Sequence, residues 1–225
     1  MSKLIYTGKT KDVYENSNGT YTLTLKDDAT GKDGVFDPGE NAVGLSIKGL
    51  GRESLKLTQH YFGLIADAGI PHHLIVADLD AVSMEVKPAK LFGKGLEFVC
   101  RVVADGSFVK RYGDYVQPGD NLDYFVEVTL KNDDRQDPPI TKEALILLGI
   151  MTAEAYDTCV ALTKSVAKLI HNDMQAKGVA LHDIKFEFGL GTDDVMLIDE
   201  ISGGCMRVYK DGQNVNPMDI GQYVL

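Results

Sequence analysis

The sequence predicts an α+β protein of two lobes, and three observations carry that expectation. Strand-like alternation dominates the first third, helical periodicity enters at Glu53, and strands then return among the later helices. A chain of 225 residues suffices for one large domain or for two lobes sharing an interface. The boundary is expected near residues 88–95, giving an antiparallel β-rich lobe over residues 1–90 and a mixed α/β lobe over residues 91–225.

The elements follow in chain order. Around Tyr6–Tyr14 and Tyr21–Lys26, β-favouring residues alternate with polar ones, and "ENSNGT" between them supplies turn chemistry. "DDATGKDGVFDPGE", residues 27–40, reads as a Gly- and Asp-rich loop broken by Pro38. Leu57, Tyr61, Leu64, Ile65 and Ala68 recur at helical spacing, and "GIP" at 69–71 closes that helix. Residues 74–87 and 96–103 return to strand character around the turn "KLFGKG". "KNDDRQDPP", residues 131–139, is a polar loop. Thr141 and Thr152 are then placed to cap two helices, each with Glu at the second helical position, where it suits the helix dipole. In the longer helix, Tyr156, Cys159, Val160, Thr163, Val166, Ala167, Ile170 and Met174 form one face, and Gly178 ends it. A hairpin over residues 182–204 follows, and the tail from Asp211 is weakly patterned.

Composition narrows the function classes. Hydrophobic residues make up 44% and charged residues 25%, which excludes global disorder. With 23 basic and 33 acidic residues the net charge is −10, a balance that argues against nucleic acid as partner while leaving room for a small phosphorylated ligand. Cys100, Cys159 and Cys205 are far apart and lack zinc spacing, so a reducing cytoplasm is expected. No run of 18 apolar residues occurs, so no membrane partner is expected.

Three stretches carry chemistry. "TGKTKDVYE" lacks the earlier glycine of a P-loop, because the position five before Gly8 is Lys3. What remains is a tight turn at Gly8 with Lys9 and Lys11 on one strand face. That arrangement fits a polyphosphate clamp or, more commonly for a hairpin edge, protective lysines. In the hairpin, Ile184, Phe186 and Phe188 share a face that should be buried, and Asp183, Lys185 and Glu187 share the other. Asp199 falls on the same face as Val195, Leu197 and Ile201, where a carboxylate needs compensation. Either Mg²⁺ bridging to phosphate or an ion pair with Lys185 or Arg207 would supply it. "EFVCRVVADGSFVKRYG" adds Arg101 and Ser107, a guanidinium and a hydroxyl suited to a phosphomonoester. Arg101 shares a strand face with Val99 and Val103, so it should be partly buried with a partner, whereas Lys110 and Arg111 read as a basic surface strand. His72-His73 lacks metal-site spacing, and His182 beside Asp183 reads as a base or, more commonly for a lone loop histidine, as a solvated residue.

Taken together, "GKTKDVYE", "ADAGIP", "EFVCRVVADGSFVKRYG", "LKNDDRQDP", "DIKFEFG" and "LIDEIS" followed by Arg207 resemble the SAICAR synthetase family, in family order over about residues 6–209. The resemblance implies a two-lobed ATP-grasp or kinase-like fold, with residues 1–90 binding nucleotide and residues 91–225 binding substrate and metal. It implies an ATP-dependent ligase of purine biosynthesis that joins L-aspartate to the carboxylate of an aminoimidazole ribotide through an acyl phosphate. Gly8, Lys9, Lys11 and Lys87 would meet ATP, and Glu187 and Asp199 would hold Mg²⁺. Arg101, Ser107, Arg207 and Asp33 would bind substrate, and Lys11, Asp183, Lys185, Lys131 and Asp137 would serve the reacting centre. A homo-oligomer is implied as well. The run Ile201-Ser202-Gly203-Gly204-Cys205-Met206 departs from the family's usual Pro-Asp and Ser before the arginine. That departure raises two alternatives: a nucleotide-binding paralogue without ligase activity, or a kinase-like enzyme with another acceptor.

Overall fold

The computed structural model describes residues 2–32, 34–36, 42–192 and 194–225. It opens with strands β1 (Lys3–Thr7), β2 (Lys11–Glu15) and β3 (Tyr21–Leu25), which pair consecutively and antiparallel. The segment expected as one loop instead folds into β4 (Asp28–Lys32) and β5 (Val35–Phe36), and with β6 (Val43–Ser46) it makes a small sheet in the order β5-β4-β6. Asp and Gly have low strand propensity, so residues 28–36 carry little local signal; backbone pairing with β6 overrides it.

Helix α1 (Leu50–Asp67) begins three residues before Glu53. Its start is not set by its own cap: both carboxylate oxygens of Asp27 accept from the Gly49 and Gly51 amides, at 2.9 and 3.0 Å. Strands β7 (Leu74–Asp78) and β8 (Ser83–Val86) complete an N-terminal sheet of order β1-β2-β3-β8-β7.

The remaining elements are β9 (Lys90–Leu91), β10 (Leu96–Val103), α2 (Gly106–Tyr112), β11 (Asn121–Leu130), α3 (Lys142–Leu147), α4 (Ala153–Ala176), β12 (Ala180–Leu190), β13 (Val195–Ile198), β14 (Met206–Lys210), β15 (Gln213–Asn214) and α5 (Ile220–Val224). The second sheet runs β11-β10-β12-β14-β15, with β9 and β13 also pairing with β12. Lys110 and Arg111 lie on α2, not on a strand, because Asp105 caps a helix there. Thr141 and Thr152 cap α3 and α4 through bonds from the Ala144 and Ala155 amides. Beyond α4, the Gly178 amide donates to the Gln175 carbonyl and the Val179 amide to the Met174 carbonyl, with Gly178 at φ 71°, a Schellman end that also buries Val179.

The strand period decides the layers. Phe98, Cys100, Ile184, Phe186 and Phe188 point to one face of the second sheet and pack on Cys159, Val166, Ile170 and Met174 of α4. A smaller core joins Leu23, Leu25, Met84 and Val86 of the first sheet. Helix α1 serves both: Leu55 enters the small core, while Leu57, Tyr61, Phe62 and Ile65 enter the large one. The other face of the second sheet is polar and looks toward the N-terminal sheet. No helix among the described residues is long and apolar enough to cross a membrane.

Candidate active site

Strand β12 carries Asp183, Lys185 and Glu187 on its polar face, and the antiparallel register sets their neighbours. On β10, Arg101 lies opposite Asp183, Val99 opposite Lys185, and Glu97 opposite Glu187. On the other side, Arg207 of β14 lies opposite Asp183 and Ile198 of β13 opposite Glu187. The alternation therefore lays the chain's charged groups along one floor, as the sequence predicts.

Asp199 reaches that floor by a different route from the one expected. Val195 and Leu197 join the large core, whereas Ile198 borders the cleft. Asp199, expected beside Val195 and Leu197, lies beyond the end of β13 and adopts a left-handed φ of 68°. The turn rotates its carboxylate away from the core and into the cleft, while Ile201 regains the core at 1% exposure. Asp tolerates this conformation better than a branched residue would.

Two charged clusters result. In the first, Lys11 from β2 donates to Asp199 at 2.5 Å and also pairs with Glu200, while Lys131 pairs with Glu187. Burial works to lower the Lys11 ammonium's pKa, but Asp199, Glu200 and Glu187 outweigh it and hold the group well above its ordinary value. Burial, followed by the Asp199 charge, pushes the Glu187 and Glu200 carboxyls up to about 7. Asp199 moves the other way: burial opposes its charge, yet Lys11 and the hydrogen bond with Glu200 keep it well below the carboxylate range. Neither of the two ion pairs expected for Asp199 forms, because Lys185 pairs with Glu97 at 3.1 Å and Arg207 with Asp183.

In the second cluster Arg101 is 2% exposed and fully engaged. It donates to Asp183 at 2.9 Å, to the Ser107 hydroxyl at 2.9 Å, and through Nε to Glu127 at 3.0 Å. Arg207 donates to the same Asp183 oxygen at 2.8 Å, and Arg111 reaches Glu127 at 2.6 Å. The partner demanded for a buried arginine is thus present twice over.

A cleft of about 400 Å³ between the sheets gathers Gly8, Lys9, Lys11, Lys87, Lys131, Asp137, Lys185, Glu187 and Asp199 on its walls. Gly8 is needed there, since an added Cβ would stand 2.9 Å from the Lys11 carbonyl. Lys9 reaches across to Asp133 at 2.7 Å, and the Asp137 carboxylate accepts from the Asn132 amide at 2.6 Å. Arg101, Ser107, Arg207 and Asp183 form the adjoining cluster outside that wall, and Asp33 lies outside the described residues.

Sequence reasoning missed Glu97, Glu127 and Glu200, all partners of predicted cations, and also His73. The last is 4% exposed on the cleft wall, and its Nε2 contacts the Asp199 carbonyl at 3.0 Å, so that nitrogen carries the proton. Burial lowers its pKa to about 4. Strand register could have flagged Glu97 opposite Glu187; nothing local marks the others. His182, read as a loop residue, sits on β12.

The donor set suits Mg²⁺. Among the described residues no preformed cage of three His, Cys, Asp or Glu exists, but Mg²⁺ commonly takes one or two carboxylates and completes its shell with phosphate and water. Glu187 and Asp199 provide that minimum. Glu200 Oε2 is buried without a hydrogen-bond partner and lies in ion contact with Lys11.

The departing loop has a packing reason. An added Cβ on Gly203 would lie 2.6 Å from Pro217 Cβ, so only glycine lets the 203–205 turn seat against the C-terminal segment. Ser202 caps that turn through the Gly204 amide.

The SAICAR synthetase profile matches residues 4–220. A phosphoribosylaminoimidazole-succinocarboxamide synthase of Clostridium tetani is 50% identical over 224 residues, covering 99% of each chain. That of Aquifex aeolicus is 33% identical, covering 94% of each. Among solved structures, a type-2 SAICAR synthetase in complex with ADP superposes with a TM-score of 0.82 at 28% identity, over 93% of this chain and 86% of that one. Another SAICAR synthetase gives 0.81 at 31% identity, over 93% and 87%. With its motifs in register, its two sheets facing across a charged cleft and a profile match over nearly its whole length, the chain belongs to the SAICAR synthetase family.

Proposed function

We propose that the chain is an ATP-dependent amide ligase of purine biosynthesis. It joins L-aspartate to carboxyaminoimidazole ribotide and yields SAICAR, ADP and phosphate. The observation that carries the reading is one strand, β12, which presents the anionic lysine-paired cluster and the arginine cluster side by side on a single floor.

A carboxylate is a poor electrophile. Its oxygen first attacks the γ-phosphorus of ATP, releasing ADP and forming an acyl phosphate. The aspartate amine then attacks the acyl carbon, phosphate leaves, and the nitrogen loses a proton. Phosphoryl transfer depends chiefly on positioning and charge neutralisation. Gly8, Lys9, Lys11 and Lys87 are assigned to the nucleotide, with Lys11 held charged by its carboxylate neighbours. Glu187 and Asp199 are assigned to Mg²⁺, which when bound would offset phosphate charge. Arg207, Ser107 and Arg101 are assigned to the ribotide phosphate. Lys185, Lys131, Asp137 and Asp183 are assigned to the reacting carboxylate and its surroundings. Residues 1–90 would serve as the nucleotide lobe and 91–225 as the substrate lobe, and a cytoplasmic homo-oligomer is proposed on the family likeness.

The test follows ADP release with ribotide carboxylate, ATP and Mg²⁺, with and without L-aspartate. Aspartate-dependent succinocarboxamide formation supports the ligase. ATP binding without turnover, or ADP release without amide, would overturn it. The non-catalytic alternative is disfavoured by the intact set of Lys11, Glu187 and Asp199 and by the packing reason for Gly203.

A further inference from the structure

Next to the arginine cluster lies a pair that the proposed chemistry does not use. His182 Nδ1 donates to Asp105 Oδ2 at 2.8 Å, while Asp105 Oδ1 accepts from the Gly106 amide at 2.6 Å. A carboxylate only accepts, so Nδ1 carries the hydrogen. The Tyr209 ring stacks on the imidazole with centroids 3.8 Å apart and planes 17° apart, which fixes its plane.

The geometry ties this pair to the arginines from both sides. Strand β12 shifts register against β14 between Leu181 and Asp183, and His182 is the extra residue. Such a bulge changes which side a residue faces. Here Leu181 remains in the core, Asp183 meets Arg207 on the floor, and His182 turns toward Asp105. From the other side, Asp105 holds the first turn of α2, where Gly106 has φ 51° and Ser107 accepts from Arg101. An added Cβ on Gly106 would stand 2.5 Å from Arg207 Cζ, so the guanidinium lies directly against that backbone. The turn held by His182 is therefore the surface on which Arg207 rests and the base of the Ser107 hydroxyl.

We infer that Asp105 and His182 are positioning residues for the ribotide phosphate: they lock the 105–107 turn so that Ser107 and Arg207 converge on one anion. Neither residue need touch the substrate. The inference rests on assigning that cluster to the phosphate. Its consequence is specific, because a loosened turn misplaces two phosphate ligands while leaving the ATP cleft alone.

The experiment compares steady-state kinetics of the full chain with those of His182→Leu, His182→Asn and Asp105→Ser. Leucine removes the donor, asparagine restores an N–H at a similar reach, and serine keeps the helix cap while losing the imidazole partner. His182→Leu and Asp105→Ser are expected to raise KM for the ribotide about tenfold, with KM for ATP within about twofold, and His182→Asn to recover most of the loss. Unchanged ribotide KM in a folded variant, or equal rises for ribotide and ATP, would overturn the inference while leaving the ligase reading intact. If His182→Leu does not fold, Asp105→Ser decides by the same criterion; if it also fails, the pair is structural and the inference falls. Absence of turnover by the unaltered chain overturns the functional reading, and this one with it.

Discussion

The two charged clusters on β12 are built from the same kinds of groups but are balanced in opposite directions. Around Lys11, two lysines face the three carboxylates Glu187, Asp199 and Glu200, and two of those carboxyls are pushed up to about 7. Around Arg101, three arginines face the two carboxylates Asp183 and Glu127. Among the described residues the first cluster is rich in carboxylates, which suit a divalent metal, and the second is rich in guanidiniums, which suit a phosphate. The clusters also differ in rigidity: Arg101 hydrogen-bonds three side chains in a buried lattice, whereas Lys11 bridges from another sheet. Under the proposed function, that contrast separates positioning of the acceptor from neutralisation of the phosphoryl group.

The comparison breaks at Asp199 first. Asp199→Asn should lower ATP-dependent turnover by roughly 10³-fold while leaving the melting temperature nearly unchanged, because Lys11 keeps Glu200 as a partner while the proposed metal loses one of its two carboxylates. ADP release under saturating substrates checks this; retained activity would take Asp199 out of the metal site. Next comes Arg101→Ala, whose main effect should be on folding. It removes one of two arginines from each of two buried carboxylates, Asp183 keeping Arg207 and Glu127 keeping Arg111, so a loss of about 1–3 kcal/mol in urea unfolding is expected. A stable protein with weakened ribotide binding alone would mean the lattice tolerates the gap.

Arg207→Ala sharpens the contrast, since this side chain is more accessible than Arg101. A rise in ribotide KM of about 10–100-fold is expected, with KM for ATP little changed. The smallest effect concerns pH. The His182 hydrogen bond, aided by the Gly106 amide, holds the Asp105 carboxyl down to about 2 against an ordinary 3.8. In that window the unfolded chain binds more protons, so the stability from this group is complete above about pH 4 and lost as pH falls toward 2. Asp105→Asn should flatten that part of the stability profile, as measured by urea unfolding at stepped pH. An unaltered slope would remove the pair as its source.

Much of the site was legible because strands impose a period of two. The alternation of Asp183, Lys185 and Glu187 with Ile184, Phe186 and Phe188 named the floor before any contact was known, and Arg101 carried its own demand for a partner. Thr141, Thr152 and Gly178 announced the ends of helices through local hydrogen-bond chemistry. Where the reading failed, the cause was non-local. The start of α1 depends on Asp27, the strands of residues 28–36 depend on backbone pairing, and Asp199 left its expected face through one left-handed residue.

Backbone stereochemistry acts over a few residues, so the sequence by itself determined which side chains of β12 share a face and where the two long helices stop. Which cation meets which carboxylate was decided only by the fold. Lys11 and Asp199 are separated by 188 positions, and their contact exists because α1 joins both cores and holds the two sheets face to face. Charge pairing across such a distance depends on sheet register and lobe packing, and no local pattern carries either.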